Sequence, residues 1–237
     1  MILRSVLGGS LMAASLLSAG AAEALPCRLA LAMALDISSS VNSSEYDIQL
    51  KGLVAALRDP AIREAILVVP GAEVQVLVYE WSGYVQQDLI VGWTALSSLA
   101  DIDALANRLD EHRRTYADFP TAIGKALEYA LFEFNRLPKP CAREVIDISG
   151  DGVNNDGLGA TMIWPALAAR NITVNALVIA GASPDPVYHY QNTVITGPEA
   201  FMLVARNGFE DYPDLIKGKL LREFAPVMMI GENDVSR

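Results

Sequence analysis

An apolar segment that ends in alternating oxygen donors constrains this chain of 237 residues more than any other feature. Residues 29–35 form a continuous apolar run, and Asp36, Ser38 and Ser40 follow it directly. A short apolar run bounded by turn-forming residues is typical of a fully buried strand in a parallel sheet. Such sheets bind ligands outside the carboxyl ends of their strands. The sequence therefore predicts one carboxylate and two hydroxyls at a binding edge, where they suit a hard cation such as Mg²⁺.

Two further segments offer oxygen atoms of the same kind. Residues 145–148 form a second, mostly apolar strand, and Asp151 and Gly152 come soon after it. Thr121 lies at the start of a predicted helix over residues 121–135. Each of these residues also has a purely structural interpretation, because Ser and Thr cap helices and Asp and Gly form turns. Their order and spacing together favour a shared oxygen cage.

These residues resemble the metal-ion-dependent adhesion site (MIDAS) of the von Willebrand factor type A (vWA) domain family. That family has Asp-x-Ser-x-Ser after the first strand, a Thr before a middle helix and an Asp-Gly after the fourth strand. The resemblance implies five metal-site residues, which are Asp36, Ser38, Ser40, Thr121 and Asp151. It also implies that the hydroxyls bind the ion directly, that the aspartates bind directly or through water, and that one position stays open for a partner's carboxylate. The implied ion is Mg²⁺, with Mn²⁺ or Ca²⁺ as alternatives.

The chain departs from the family pattern at two positions. Phe119 stands two residues before Thr121, where the family often has glycine. Gly150 precedes the final Asp-Gly, where the family often has Thr or Ser. Neither change removes a ligand, but both alter the expected loop geometry. The whole chain also resembles a group of secreted bacterial vWA-like proteins without an assigned function.

Strand and helix signals alternate from about residue 28 to residue 224. This alternation predicts a three-layer α/β fold with a doubly wound, mostly parallel sheet and one antiparallel edge strand, which is the Rossmann-like fold of the vWA family. The predicted strands cover residues 29–35, 74–81, 84–90, 143–149 and 172–180. The predicted helices cover residues 45–57, 99–112, 121–135, 160–170 with an interruption at Pro165, and 212–224, and a further helix start is expected at residues 198–201.

The chain is predicted to hold one domain behind an export signal. Residues 1–24 have the pattern of a secretory signal peptide: Arg4, an apolar segment over residues 6–17 and a small-x-small cleavage motif at residues 22–24. A retained membrane anchor is the alternative. Residues 25–230 form the single domain, and residues 231–237 form a flexible tail. We expect an exported protein, periplasmic or extracellular, with no stable membrane insertion after cleavage.

The two cysteines are predicted to form a disulfide. Cys27 lies nine residues before Asp36, and Cys141 lies ten residues before Asp151. If both acids end neighbouring parallel strands, both cysteines lie near the opposite ends of those strands. Adjacent strands are about 4.8 Å apart, which suits a disulfide, and an exported compartment permits one. Two free thiols are the alternative.

Charge and residue type exclude several functions. The net charge of −10 argues against nucleic acid and against anionic membrane surfaces as partners. A serine hydrolase needs a histidine base, but His112 is expected at a solvated helix end and His189 in a loop. Zinc is disfavoured at the five-residue site because it lacks soft ligands. Asp156 is interpreted as a loop acid, with an auxiliary role at the ion as the alternative.

We therefore expect an exported, divalent-metal-dependent protein-binding domain of the adhesion or assembly type. Its MIDAS ion would bind an acidic group of an unknown protein partner, and no catalytic group is assigned. Two alternatives remain. One is a metal-assisted hydrolase of phosphoesters that uses Asp36. The other is a structural envelope domain whose site holds no ion.

Overall fold

The computed structural model describes residues 27–226. The predicted signal peptide and the tail at residues 231–237 lie outside the described residues. One sheet has the strand order β3-β2-β1-β4-β5-β6. Its strands are β1 (Cys27–Asp36), β2 (Glu73–Trp81), β3 (Gln87–Leu96), β4 (Glu144–Gly150), β5 (Ile172–Ile179) and β6 (Met202–Ala205). Only the β2–β3 pair is antiparallel among these strands, which confirms the predicted sheet.

Helices cover both faces of this sheet. They are α1 (Ser43–Arg58), α2 (Pro60–Leu67), α3 (Leu99–Glu111), α4 (Ile123–Phe134), α5 (Trp164–Ala169), α6 (Pro186–Thr193) and α7 (Tyr212–Phe224). One apolar cluster joins the sheet to α1, α2, α3 and α7, and a second joins it to α4, α5 and α6. The fold is therefore three-layered and doubly wound. None of the helices within residues 27–226 is long and apolar enough to cross a membrane.

The central strand β1 explains why its apolar run is continuous. Leu29, Leu31 and Met33 join the cluster under α1 and α7. The alanines between them join the opposite cluster, where the large side chains of Tyr79 and Trp81 are also fully buried. Because both faces of β1 are covered by helices, every position from Leu29 to Leu35 is apolar.

Two predicted boundaries were wrong. The edge strand β3 begins at Gln87 rather than Tyr84, because Ser82 and Gln86 close the turn with a hydrogen bond from Ser82 N to the Gln86 carbonyl oxygen of 2.9 Å. The expected helix start at residues 198–201 is absent. Glu199 has a φ of 54°, which no right-handed helix accommodates. Strand β6 begins instead at Met202.

The predicted disulfide joins Cys27 to Cys141. Strands β1 and β4 are parallel neighbours, with Leu35 opposite Ser149 in the register. The two cysteines precede this paired region, and their Cα atoms are 4.5 Å apart. The bond therefore links the two strands at the end of the sheet opposite to Asp36 and Asp151.

Candidate metal centre

Asp36 is the last residue of β1 and is completely buried. Its Oδ1 accepts a hydrogen bond of 2.7 Å from the Ser38 backbone N–H. Its Oδ2 is buried without a hydrogen-bond partner among residues 27–226. Burial, together with the smaller effect of the nearby charge of Asp151, raises the pKa of Asp36 to about 7. A buried carboxylate oxygen without a partner is costly, and a cation at this position would satisfy it.

The two serines connect Asp36 to the end of β4. Ser38 Oγ lies 3.1 Å from Ser40 Oγ, and Ser40 Oγ donates a hydrogen bond of 2.5 Å to Asp151 Oδ1. Burial raises the pKa of Asp151, although the hydrogen bond from Ser40 opposes this. The structure thus brings together four of the five predicted site residues, from segments more than a hundred positions apart.

Thr121 enters the same space from the loop before α4. A Cβ atom at Gly152 would lie 3.3 Å from Thr121 Oγ1 and 3.8 Å from Ser40 Oγ, so both hydroxyls face the gap that this glycine leaves. Thr121 does not cap α4, because the N-cap is Ala122 and makes no side-chain bond. Instead, Asn155 holds the backbone of Thr121 through hydrogen bonds of 2.8 and 2.9 Å. The capping interpretation of Thr121 was wrong.

Sequence reasoning missed Tyr190, a fully buried residue of α6. Its hydroxyl has no hydrogen-bond partner among the described residues. A Cβ atom at Gly150 would lie 2.3 Å from this hydroxyl and 2.8 Å from Asp36 Oδ2. Burial raises the pKa of Tyr190, and the charges of Asp36 and Asp151 add to the effect. The tyrosine hydroxyl therefore occupies space that a side chain at position 150 would fill, and no short-range pattern signals this.

Sequence reasoning also missed the groups that shape the loop after β1. Arg114 donates hydrogen bonds of 2.7, 3.1 and 2.7 Å to the backbone carbonyls of Ile37, Ser38 and Val41. Gln49 Nε2 donates to the Asp36 carbonyl at 3.0 Å. These contacts hold the backbone of the loop in one conformation, which orients its serine hydroxyls before any ion binds.

Phe119, the other departure from the family pattern, contributes through its backbone. The Ser39 N–H donates a hydrogen bond of 2.9 Å to the Phe119 carbonyl. The Phe119 ring packs edge-on against Tyr116, with ring centroids 5.7 Å apart. Phe119 therefore connects the loop that carries Thr121 to the loop after β1 through its backbone carbonyl.

Asp156 turns its carboxylate toward the edge hairpin. Its Oδ2 accepts a hydrogen bond of 2.8 Å from the Tyr84 backbone N–H. This contact ties the loop after β4 to the turn between β2 and β3. The interpretation of Asp156 as a loop acid is confirmed.

The donor set suits a hard divalent cation. It consists of two carboxylates and three hydroxyls, and Mg²⁺ prefers oxygen ligands while keeping some of its water. Among residues 27–226, no Lys, Arg or His forms a salt bridge with Asp36 or Asp151. Burial raises the pKa of both carboxyls, so their negative charge needs compensation from a nearby cation. An ion held by these residues would supply it.

The sheet and the helices on its two faces have the fold of the vWA class of domains. Solved structures share the fold. Proximal thread matrix protein 1 (PTMP1) from the mussel byssus has a TM-score of 0.61 at 17% identity over 85% of this chain and 47% of that chain. A vWA protein from Catenulispora acidiphila has a TM-score of 0.56 at 14% identity over 84% and 43%. The pilus adhesin SpaC from Lactobacillus rhamnosus GG, in its open conformation, has a TM-score of 0.58 at 14% identity over 84% and 30%.

The chain spans less than half the length of these structures. A second structure of PTMP1 is described with a zinc-occupied MIDAS motif. The chain belongs to the family described as Protein of unknown function (DUF1194), whose family model matches residues 26–228. A comparison with curated proteins finds no match.

Proposed function

We propose that this chain is an exported domain that binds Mg²⁺ and uses the ion to bind an acidic group of a protein partner. The proposed ligands are Asp36, Ser38, Ser40, Thr121 and Asp151. The observation that carries the proposal is the buried Oδ2 of Asp36, which has no hydrogen-bond partner among the described residues and lies in a group of oxygen donors from three separate loops. Mn²⁺ and Ca²⁺ are alternative ions for the same donors.

The chemistry of the donors explains why the ion would bind a partner. Three of the five ligands are neutral hydroxyls, so two carboxylates at most offset the charge of the ion. An ion with an open position can then accept one strong anionic ligand. The net charge of −10 opposes an acidic partner at long range, so contact would depend on the local charge of the ion.

Two further observations support the proposal. The disulfide between Cys27 and Cys141 is the kind of bond that persists in an oxidising, exported compartment. The proteins of similar fold include a pilus adhesin and a byssus matrix protein with an occupied MIDAS motif. An adhesive or assembly role for this chain is consistent with both.

Metal binding is tested by calorimetry with MgCl₂ and MnCl₂ on the mature chain. Ser40→Ala removes one proposed ligand and the hydrogen bond to Asp151. We expect this variant to bind Mg²⁺ at least about tenfold more weakly, since even the loss of a residue that only hydrogen-bonds a metal ligand costs about 10- to 100-fold. Ser39→Ala is the matched control, because Ser39 is an exposed neighbour in the same loop, and its affinity should change less than about twofold.

Partner binding is tested by capture from an envelope extract with and without chelator. The proposal expects a protein retained by the native chain in Mg²⁺ and lost with chelator or with Ser40→Ala. Retention that survives both changes would contradict it. Phosphoesterase activity lost in Asp36→Asn would favour the hydrolase instead. The absence of any heat with either salt up to high millimolar concentrations would favour a structural domain.

A further inference from the structure

A second group of titratable side chains lies at the edge of the sheet, on the face covered by α1 and α3. Glu80 of β2 is fully buried, and Asp88 of β3 lies directly opposite in the antiparallel register. His112 follows the last residue of α3. One ligand atom from each of these three residues lies within 4.8 Å of the others.

The negative charge of this group is poorly compensated. Carboxylates directly opposite each other on neighbouring strands repel. Tyr46 Oη donates to Glu80 Oε1 at 2.6 Å, and Thr115 donates to Glu80 Oε2 at 3.1 Å and to Asp88 Oδ2 at 2.8 Å. These donors are neutral. Within residues 27–226, the only basic side chain in salt-bridge range of either acid is His112.

His112 faces the acids rather than solvent. Its side chain is 15% exposed, so the expectation of a solvated helix end was wrong. Its Nε2 is buried and lies 3.1 Å from Glu80 Oε1, yet the contact lacks hydrogen-bond geometry and the nitrogen has no other partner among the described residues. A buried ring nitrogen without a partner, directed at two carboxylates, is an arrangement that a metal ion satisfies.

We propose that Glu80, Asp88 and His112 form a second metal site, which binds a transition-metal cation of the Zn²⁺ type. One imidazole and two carboxylates match the nitrogen and oxygen ligands of Zn²⁺, and three protein ligands leave a position open for water. Ligand atoms about 2.0–2.2 Å from an ion lie about 3–4 Å from one another, so small side-chain rotations would close the site. The oxygen-only site at Asp36 has no such imidazole, so the two sites differ in metal preference.

The second site is connected to the loop that carries Ser38 and Ser40. Arg114, two residues after His112, donates hydrogen bonds to the carbonyls of Ile37 and Ser38. An ion at the second site would hold β2, β3 and the segment after α3 together. The proposal does not depend on the function proposed above, because none of its three ligands belongs to the first site.

The test uses Co²⁺ as a spectroscopic probe for Zn²⁺, in the full mature chain carrying Ser40→Ala to weaken the first site. We expect one equivalent of Co²⁺ to give visible absorption bands, and Zn²⁺ to displace it. His112→Gln in this background should weaken binding at least about 100-fold, because the loss of a direct ligand costs more than the loss of a residue that only hydrogen-bonds a ligand. His189→Gln is the matched control and should leave the bands unchanged, because His112 and His189 are the two histidines of the chain.

Circular dichroism checks that each variant is folded. If His112→Gln does not fold, Asp88→Asn decides the question, because it removes a ligand charge while keeping the side-chain shape. The proposal is overturned if Co²⁺ and Zn²⁺ bind no tighter than millimolar. It is also overturned if folded His112→Gln or Asp88→Asn binds as tightly as the His189→Gln control.

Discussion

Gly150 shows how one small residue shapes the candidate metal centre. The vWA pattern often has Thr or Ser at this position, but here the buried hydroxyl of Tyr190 takes up the space. Because Tyr190 comes from α6, the change at position 150 is compensated by a residue 40 positions away in the chain. Glycine at position 150 removes the hydroxyl that the family pattern often has there, and the Tyr190 hydroxyl occupies the space instead.

Gly150→Ala is expected to destabilise the protein by about 1–3 kcal/mol, as overpacking in a core does. The added Cβ would lie 2.3 Å from the Tyr190 hydroxyl. Tyr190→Phe in the same chain should recover part of the loss, since it removes that oxygen. Urea unfolding of the metal-free protein measures both effects. Gly159→Ala is the control, because nothing lies within 4 Å of its added Cβ, and an equal loss in both single variants would contradict the explanation.

The interface between β4 and α7 holds charged residues inside the protein. Lys219 of α7 is fully buried and lies 2.8 Å from Asp147 Oδ1 and 3.3 Å from Glu223 Oε1. Asn175 also donates to Glu223, at 2.7 Å. Lys219 and Glu223 are four residues apart, a spacing that usually indicates an exposed pair on a helix. Burial of these groups specifies how α7 lies on the sheet.

The buried carboxyl of Asp147 should make the free energy of unfolding depend on pH. Burial raises its pKa to about 6, although Lys219 opposes the shift, whereas an unfolded Asp titrates near 3.8. A group with a raised folded pKa contributes stability below the unfolded pKa and loses it as pH rises through the folded pKa. The free energy of unfolding of the native chain, relative to Asp147→Asn, should therefore fall by roughly 2 kcal/mol between pH 4 and pH 7.

Urea unfolding at several pH values checks this expectation, with the difference between native chain and variant isolating Asp147 from other titrating groups. Asp214→Asn, an exposed change in the first turn of α7, is the control and should keep the native pH dependence. A constant difference between native chain and Asp147→Asn across this pH range would contradict the assignment.

The disulfide and the metal centre lie at opposite ends of the same two strands. The bond closes a loop between residues that are 114 positions apart. In the chain-entropy description, a loop of this length constrains the unfolded chain strongly. The bond therefore stabilises the domain as a unit while leaving the strand ends that carry Asp36 and Asp151 unchanged.

Cys27→Ala with Cys141→Ala is expected to lower the free energy of unfolding by about 3–5 kcal/mol. The affinity for Mg²⁺ should change little, because the bond lies at the far end of the sheet. Denaturant unfolding and calorimetry on the double variant measure the two quantities. A large loss of affinity with little loss of stability would show that the bond acts on the site directly. The native chain treated with reductant provides a second comparison.

Local patterns were enough to predict most of the architecture, and they selected the five residues that the structure brings together at the candidate metal centre. A continuous apolar run marked β1 and a mostly apolar run marked β4, and the polar residues that follow them placed Asp36 and Asp151 at one edge. Pro165 marked the break before α5, which begins at Trp164 after a short 3₁₀ turn at Ala160–Met162. These signals work because they depend on residues within a few positions of each other.

The wrong predictions concern contacts made from outside the local segment. The start of β3 depends on the turn at residues 82–86. Within this turn, the Tyr84 backbone N–H donates a hydrogen bond to Asp156, which lies in the loop after β4. The expected helix at residues 198–201 is replaced by a left-handed residue and the short edge strand β6. Propensity is a weak guide where such tertiary contacts decide the backbone.

Local sequence patterns were sufficient for the alternation of strands and helices, for the pairing of the two cysteines and for choosing the proposed donors of the first site. Tertiary structure alone decided that Tyr190 fills the space beside Gly150, that Lys219 is buried, and that His112 meets Glu80 and Asp88. The two groups of features depend on interactions of different range along the chain. Apolar periodicity and turn chemistry act over a few residues, whereas the burial and neighbours of a side chain depend on every element packed around it.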